Sequence, residues 1–199
     1  MHKPNLLLDV DGVLLDWLAG FEEYLLDQAP HLHKDFSGLS HVENLEQLLG
    51  MDSDQMHDWI YKFHMSEPFA YLKPLPHAVS AINTLAPWCK ISCITASGSH
   101  PQSVRSRERN LHAVFGDVFD EIICVERSVD KPPHLHKFEP GYWVEDQLKN
   151  ALMGVHAGHE SFLMDAIYNR QHDHELAPRV RSLLEVAFTI LSQLRSKYL

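Results

Sequence analysis

Three cysteines in 199 residues, an odd number, are too few for a disulfide framework. Cys89, Cys93 and Cys124 are expected as reduced thiols, two of them buried in apolar strand-like runs of a cytosolic protein. Basic charge is also in short supply. Seventeen Lys and Arg against 27 Asp and Glu leave a net charge of -10 with histidine neutral. Such a surface repels nucleic-acid polymers and anionic membranes, so neither is expected as a partner. No apolar run is long enough to span a bilayer, and no basic segment leads into an apolar one at the N-terminus, so the expected location is the cytoplasm. Low-complexity tracts and internal repeats are missing as well. With 45% hydrophobic and 22% charged residues, the chain has enough apolar content for one core and a small second lobe. A homodimer remains compatible with this composition.

Histidine, by contrast, is abundant: there are 15, including the pairs His31/His33, His134/His136 and His172/His174. No cysteine pair or Glu-bearing zinc motif accompanies them, so they are expected as solvated loop residues. Five short apolar runs also stand out: NLLLDVD, KISCITA, EIICVE, YWVED and SFLMDA. They lack strict alternation, as parallel strands covered on both faces do. Between them the apolar spacing predicts helices over 76–85, 105–114 and 148–157, and a closing helix within 177–199. Alternating strands and helices predict a doubly wound α/β domain with a five-stranded parallel sheet. The segment between the first two strands breaks the rhythm. It carries helical patterns only, over 17–28, 40–50 and after Ser53, which predicts a helical cap of residues 17–72 inserted into a core of 1–16 and 73–199.

Carboxylates gather where the strands end. Asp9 and Asp11 follow the first run, Thr95 and Ser97 the second, Glu126 the third, Glu145 and Asp146 the fourth and Asp165 the fifth. In open α/β sheets, ligands bind outside those carboxyl ends. Adjacent carboxylates repel and are costly to desolvate, and a hard cation removes that cost. Two or three carboxylate oxygens with waters suit Mg²⁺, which shares its remaining positions with a substrate phosphate. A calcium EF-hand is excluded, because counting from Asp9 puts Gly12 at the fourth position instead of the sixth, and Gly20 where Glu belongs at the twelfth.

DVDGVLLD resembles the first motif of the haloacid dehalogenase (HAD) superfamily, CITAS the second and WVEDQ the fourth. The likeness spans nearly the whole chain in the right order. Within the superfamily the chain is most similar to the 5'(3')-deoxyribonucleotidases, on Trp17 directly after Asp16, on YLKPLPHAVSAI and on FLMDAIYN. The resemblance implies a Mg²⁺-dependent phosphatase with Asp9 as nucleophile and Asp11 as general acid/base. It implies that Thr95, with Ala96 and Ser97, binds the phosphoryl group, that Asp9, Asp146 and the Asp11 backbone carbonyl hold the metal, and that Glu145, where many relatives carry Asp, stands behind them. The third motif is a lysine in an Asp-Lys pair, which favours Lys131 over Lys137. Trp17 is expected beside the substrate, a small phosphomonoester and by the closest likeness a nucleoside monophosphate. Two alternatives stay open: a sugar phosphate or other small phosphomonoester as substrate, and a noncatalytic phosphate-binding or interaction module. Dehalogenase chemistry is disfavoured because dehalogenases lack the equivalent of Asp11.

Overall fold

The apolar runs pair as parallel strands because the helices between them cover both faces. A computed structural model describes residues 3–42, 44–126 and 131–196. The first strand, β1 (Asn5–Leu8), leads to α1 (Trp17–Gln28), a 3₁₀ turn (Phe36–His41), α2 (Leu45–Leu49), α3 (Ser53–His64) and a second 3₁₀ turn (Pro68–Tyr71). The core resumes with α4 (Ala78–Leu85), β2 (Lys90–Thr95), α5 (Pro101–Phe115), β3 (Glu121–Cys124), α6 (Pro132–Leu135), β4 (Tyr142–Glu145), α7 (Leu148–His156) and β5 (Glu160–Met164). It closes with β6 (Arg179–Val180) and α8 (Leu183–Ser196).

All pairings are parallel, in the order β3-β2-β1-β4-β5-β6. The expected sheet of five strands is therefore corrected to six. The sixth pairs only Arg179 and Val180 with Leu163 and Met164, a stretch too short to show a period in sequence. For the same reason the closing helix starts at Leu183, later than the pattern after Pro178 suggested. The helix expected over 40–50 divides into a 3₁₀ turn and α2, because the Asn44 side chain accepts the Gln47 N–H at 2.9 Å and starts a new helix there. Helix α5 starts at Pro101 instead of at 105, with the proline in the first turn, where its missing N–H costs nothing.

The helical segment leaves and rejoins the core at one place. Asp16 N–H donates to the Lys73 carbonyl and Leu75 N–H to the Leu14 carbonyl, both at 2.9 Å. Asp16 itself caps α1, its carboxylate accepting the Ala19 N–H at 3.1 Å. Phe21, Leu25, Phe36, Met56, Ile60, Phe63 and Phe69 are buried in one apolar cluster with Leu14, Leu15 and Ile82 of the core.

On the other side of β4, the fully buried Trp143 packs against α7 and donates its indole N–H to the Asn150 carbonyl at 3.1 Å. The close approach needs Gly154, since a Cβ there would lie 2.2 Å from Trp143 Cδ1 and 2.6 Å from Ser161 Oγ. Alanine is the better helix former by about 1 kcal/mol. Gly154→Ala should nonetheless lower stability, by about 1–3 kcal/mol of overpacking in urea denaturation. A higher urea midpoint would contradict the close packing of α7 on Trp143.

Candidate active site

The strand order reverses between β1 and β4, and it is there that the acidic side chains converge. Asp9 follows β1 and donates its backbone N–H to the Val144 carbonyl at 2.9 Å, while Glu145 ends β4 and Asp146 follows it. Oxygens of Asp9, Glu145 and Asp146 lie within 4.8 Å of one another, and all three residues are buried. Burial, then the charge of Glu145, pushes Asp9 up to about 7, and burial pushes Glu145 to about 7 and Asp146 to about 6. Asp11 is also raised, to about 6, by burial against the opposing pull of Arg107.

Two buried cations answer these carboxylates. Lys131 Nζ lies 2.9 Å from Asp9 Oδ1 and 2.7 Å from Glu145 Oε2. The pull of Asp9, then Glu145, raises its pKa against the opposing effect of burial. Lys131 opens α6, its carbonyl accepting the His134 and Leu135 N–H groups, and Leu135 is buried against Leu7, Ile94 and Trp143. Lys137 is exposed in the turn after α6. Of the two lysines the structure therefore brings Lys131 to the site; Asp130 lies outside the described residues. The second cation was not anticipated. Arg107 of α5 is fully buried, and its Nη2 meets the two Asp11 carboxylate oxygens at 2.5 and 2.7 Å. A lone arginine in an amphipathic helix carries no sequence signal that separates it from its solvated neighbours Arg105 and Arg109.

Both Glu145 oxygens have partners. One is held by Lys131, and the other accepts the N–H groups of Asp146 and Gln147 at 3.2 Å each. Asp146 differs: Tyr168 donates its hydroxyl hydrogen to Oδ2, whereas Oδ1 is buried with no hydrogen-bond partner among the described residues. Asn169 fixes the Asp146 backbone, donating to its carbonyl at 2.6 Å, and Arg179 Nη1 donates to Asn169 Oδ1 at 2.5 Å. Gly12 makes room for this group. Its φ is +79°, and a Cβ would sit 2.4 Å from Asp146 Oδ2 and 2.7 Å from the Tyr168 hydroxyl. Tyr168 and Asn169 lie in the FLMDAIYN run, where a tyrosine and an asparagine after a strand gave no separate sign of these contacts.

Thr95 ends β2, fully buried, with its hydroxyl oxygen unpartnered among the described residues. Ala96 is half-buried in the following turn, and Ser97 is buried, its carbonyl accepting from Ser103 Oγ at 2.6 Å and paired with His64 Nδ1 at 3.0 Å. His64 Nε2 accepts the Trp17 indole N–H at 3.0 Å, which leaves the ring hydrogen on Nδ1. Trp17 is half-buried, stacked on Phe21 at 4.9 Å and edge-on to Phe63. Beside these residues a cleft of about 330 Å³ is lined by His57, Tyr61, His64 and Met65 from α3 and its end, and by Ser97, Gly98, His100, Ser103 and Glu126. Glu126 joins two strand ends, accepting from Ser99 N–H at 2.9 Å and from the Ser99 hydroxyl. Asp165 stands apart from the acidic group, paired with Arg170 and Arg179. None of the His-x-His pairs falls in a cluster of metal-ligating groups among the described residues.

No protein-family model matches the chain. An uncharacterized 32.4 kDa protein of Enterobacteria phage T4 is 26% identical over 150 residues, covering 70% of this chain and 51% of its own. The chain thus spans about half the length of the curated relative it matches. Among solved structures, a haloacid dehalogenase-like hydrolase from Streptococcus pneumoniae superposes with a TM-score of 0.66 at 14% identity, over 94% of this chain and 98% of its own. CbbY from Rhodobacter sphaeroides, in complex with phosphate, superposes with a TM-score of 0.62 at 16% identity, over 93% and 96%. Solved dehalogenases share the architecture too. The chain has the α/β fold of the HAD-like hydrolases.

Proposed function

We propose that the protein is a Mg²⁺-dependent phosphomonoester hydrolase that works through an aspartyl phosphate, with residues 17–72 as its cap. The observation that carries this reading is the pair Asp9 and Asp11, each held by its own buried cation at the switch point of the sheet. A dehalogenase or a simple binder has no use for the second carboxylate. Asp9 attacks phosphorus, and the ester P–O bond breaks as Asp11 gives its proton to the leaving oxygen. Water then attacks the phosphoryl group on Asp9 and passes a proton to Asp11, which releases inorganic phosphate and restores both carboxyl groups. Lys131 neutralises charge on Asp9 and the phosphoryl oxygens, and the free hydroxyl of Thr95, with the Ala96–Ser97 turn, receives those oxygens.

The residues fit a divalent cation. Four carboxylates face two cations, Lys131 and Arg107, among the described residues, and Asp146 Oδ1 is a buried donor atom without a hydrogen-bond partner among them. Asp9, Asp146 and the Asp11 backbone carbonyl would hold Mg²⁺, with Glu145 behind them. Its chemistry there would be to offset the charge of Asp9 and the substrate phosphate.

The substrate reading follows from the cleft. Its lining contains no lysine or arginine among the described residues and offers the ring of Tyr61, which is 56% exposed, beside His57 and His100. That surface suits a neutral, flat leaving group such as a nucleoside and gives no counter-charge for a second phosphate. A stacked base is worth about 1–3 kcal/mol. Trp17 is tied to His64, which lines the same cleft.

Asp9→Asn should cut turnover by roughly 10³-fold or more with the fold retained, since an amide cannot attack phosphorus. Lys131→Ala should cost about 3 kcal/mol of transition-state stabilisation, and Lys137→Ala far less; both comparisons are made on kcat/KM. The metal has a readout apart from activity. Carboxyl groups raised in the folded state contribute stability below their unfolded values near 4, and lose it as pH climbs through their folded values of about 6 and 7. In EDTA the thermal midpoint should therefore fall between pH 5 and pH 8, and Mg²⁺ should raise it more at pH 8 than at pH 5. An equal shift at both would place the ion elsewhere. In a phosphomonoester screen, nucleoside monophosphates, pyrimidine deoxyribonucleotides foremost, should outrun sugar phosphates. Sugar phosphates ahead by tenfold in kcat/KM would replace the nucleotide with a sugar and leave the chemistry in place.

A further inference from the structure

Arg107 is the one buried charge at the site whose place in the reaction is still unassigned. Burying a guanidinium costs several kcal/mol unless its partner compensates. Its partner is Asp11, and only one of its nitrogens is used. Nη2 meets the two carboxylate oxygens at 2.5 and 2.7 Å, while Nε and Nη1 are buried with no hydrogen-bond partner among the described residues. A surface ion pair would leave those nitrogens in water. Here the guanidinium gives up that solvation to hold a single carboxylate.

The arginine is itself clamped. Its guanidinium carbon lies 4.3 Å from the centroid of the Phe69 ring, and Phe69 is fully buried and stacked on His64 at 4.4 Å. One turn along α5, buried Asn110 accepts the Leu72 N–H at 3.1 Å and donates to the Leu72 carbonyl at 3.0 Å. Helix α5 is thus stapled to the last residues of the helical segment, and Arg107 reaches from that staple to Asp11. Lys131, in contrast, serves Asp9 and Glu145. The two cations divide the two reacting carboxylates between them.

We propose that Arg107 is a positioning residue: seated on Phe69, it fixes the rotamer of Asp11 so that this carboxyl group meets the leaving oxygen, and it does not itself bind the phosphoryl group. The inference rests on the acid/base role given to Asp11 above. It separates α5 into a residue that acts through Asp11, Arg107, and one that only joins two parts of the chain, Asn110.

The test compares kcat/KM on p-nitrophenyl phosphate, whose leaving group needs little protonation, with ethyl phosphate, whose leaving group needs it fully. Arg107→Met should lose at least tenfold more on ethyl phosphate than on p-nitrophenyl phosphate, with KM for each within about threefold of the unsubstituted protein. Arg107→Lys, which keeps the charge but not the planar fork, should restore part of that ratio. Asn110→Ser should lower the thermal midpoint and leave the ratio as it was. Equal losses on both esters, a rise in KM alone or an unchanged ratio in Arg107→Met would overturn the proposal. Should Arg107→Met fail to fold, Arg107→Lys decides: a ratio below that of the unsubstituted protein supports positioning, and an unchanged one overturns it. If the unsubstituted protein hydrolyses neither these esters nor a nucleotide, the phosphatase reading fails and takes this inference with it. Normal turnover with an unaltered ratio overturns the inference alone.

Discussion

The structure is organised around an excess of buried negative charge. Asp9, Glu145 and Asp146 are brought together at the reversal of strand order, with the partly exposed Asp11 two residues on from Asp9, and among the described residues Lys131 and Arg107 pair with this group. Each carboxylate is costly to desolvate, and their mutual repulsion adds to the cost. Much of the surrounding chain is arranged to bear this. Helix α6 delivers Lys131, α5 delivers Arg107, and Arg179 braces the asparagine that holds the Asp146 backbone. Gly12 is required because even a methyl group would collide with Asp146.

The carboxylates near these strand ends differ in what else they touch. Glu145 has both oxygens engaged, one by Lys131 and the other by two backbone N–H groups. Asp146 has an oxygen left over. Asp9 has its cation 2.9 Å from one oxygen and follows the end of β1. Asp16, close to them in sequence, is spent on capping α1. Three aspartates and a glutamate near the ends of β1 and β4 thus keep different partners.

Much of this arrangement was legible in the sequence because strand ends are. Short apolar runs followed at once by polar residues locate both the sheet and the edge where its carboxylates gather, and Asp9, Asp11, Thr95 and Asp146 all fall on that edge. What was not legible comes from the chain folding back on itself. Arg107 lies on a helix whose other arginines face solvent, so its burial depends on Phe69 and Asp11, distant in sequence. Strand β6 is two residues long and exists by pairing with β5 alone. Trp17 is expected beside the substrate from its place after Asp16; its indole N–H bonds to His64, and the exposed ring of Tyr61, which no sequence pattern singled out, lines the neighbouring cleft.

The backbone bonds that join Leu14 to Leu75 and Asp16 to Lys73 also bear on how such a protein diversifies. The helical segment starts and finishes on paired backbone, so its two ends stay adjacent whatever lies between them. Closing a longer or shorter excursion there costs entropy only as the logarithm of its length, roughly 0.6 kcal/mol per doubling. Insertions and replacements in this segment leave the register of β1 with β2 and β4 untouched. The part of the cleft wall contributed by α3, around Tyr61, can then be remodelled without moving the acidic edge of the sheet.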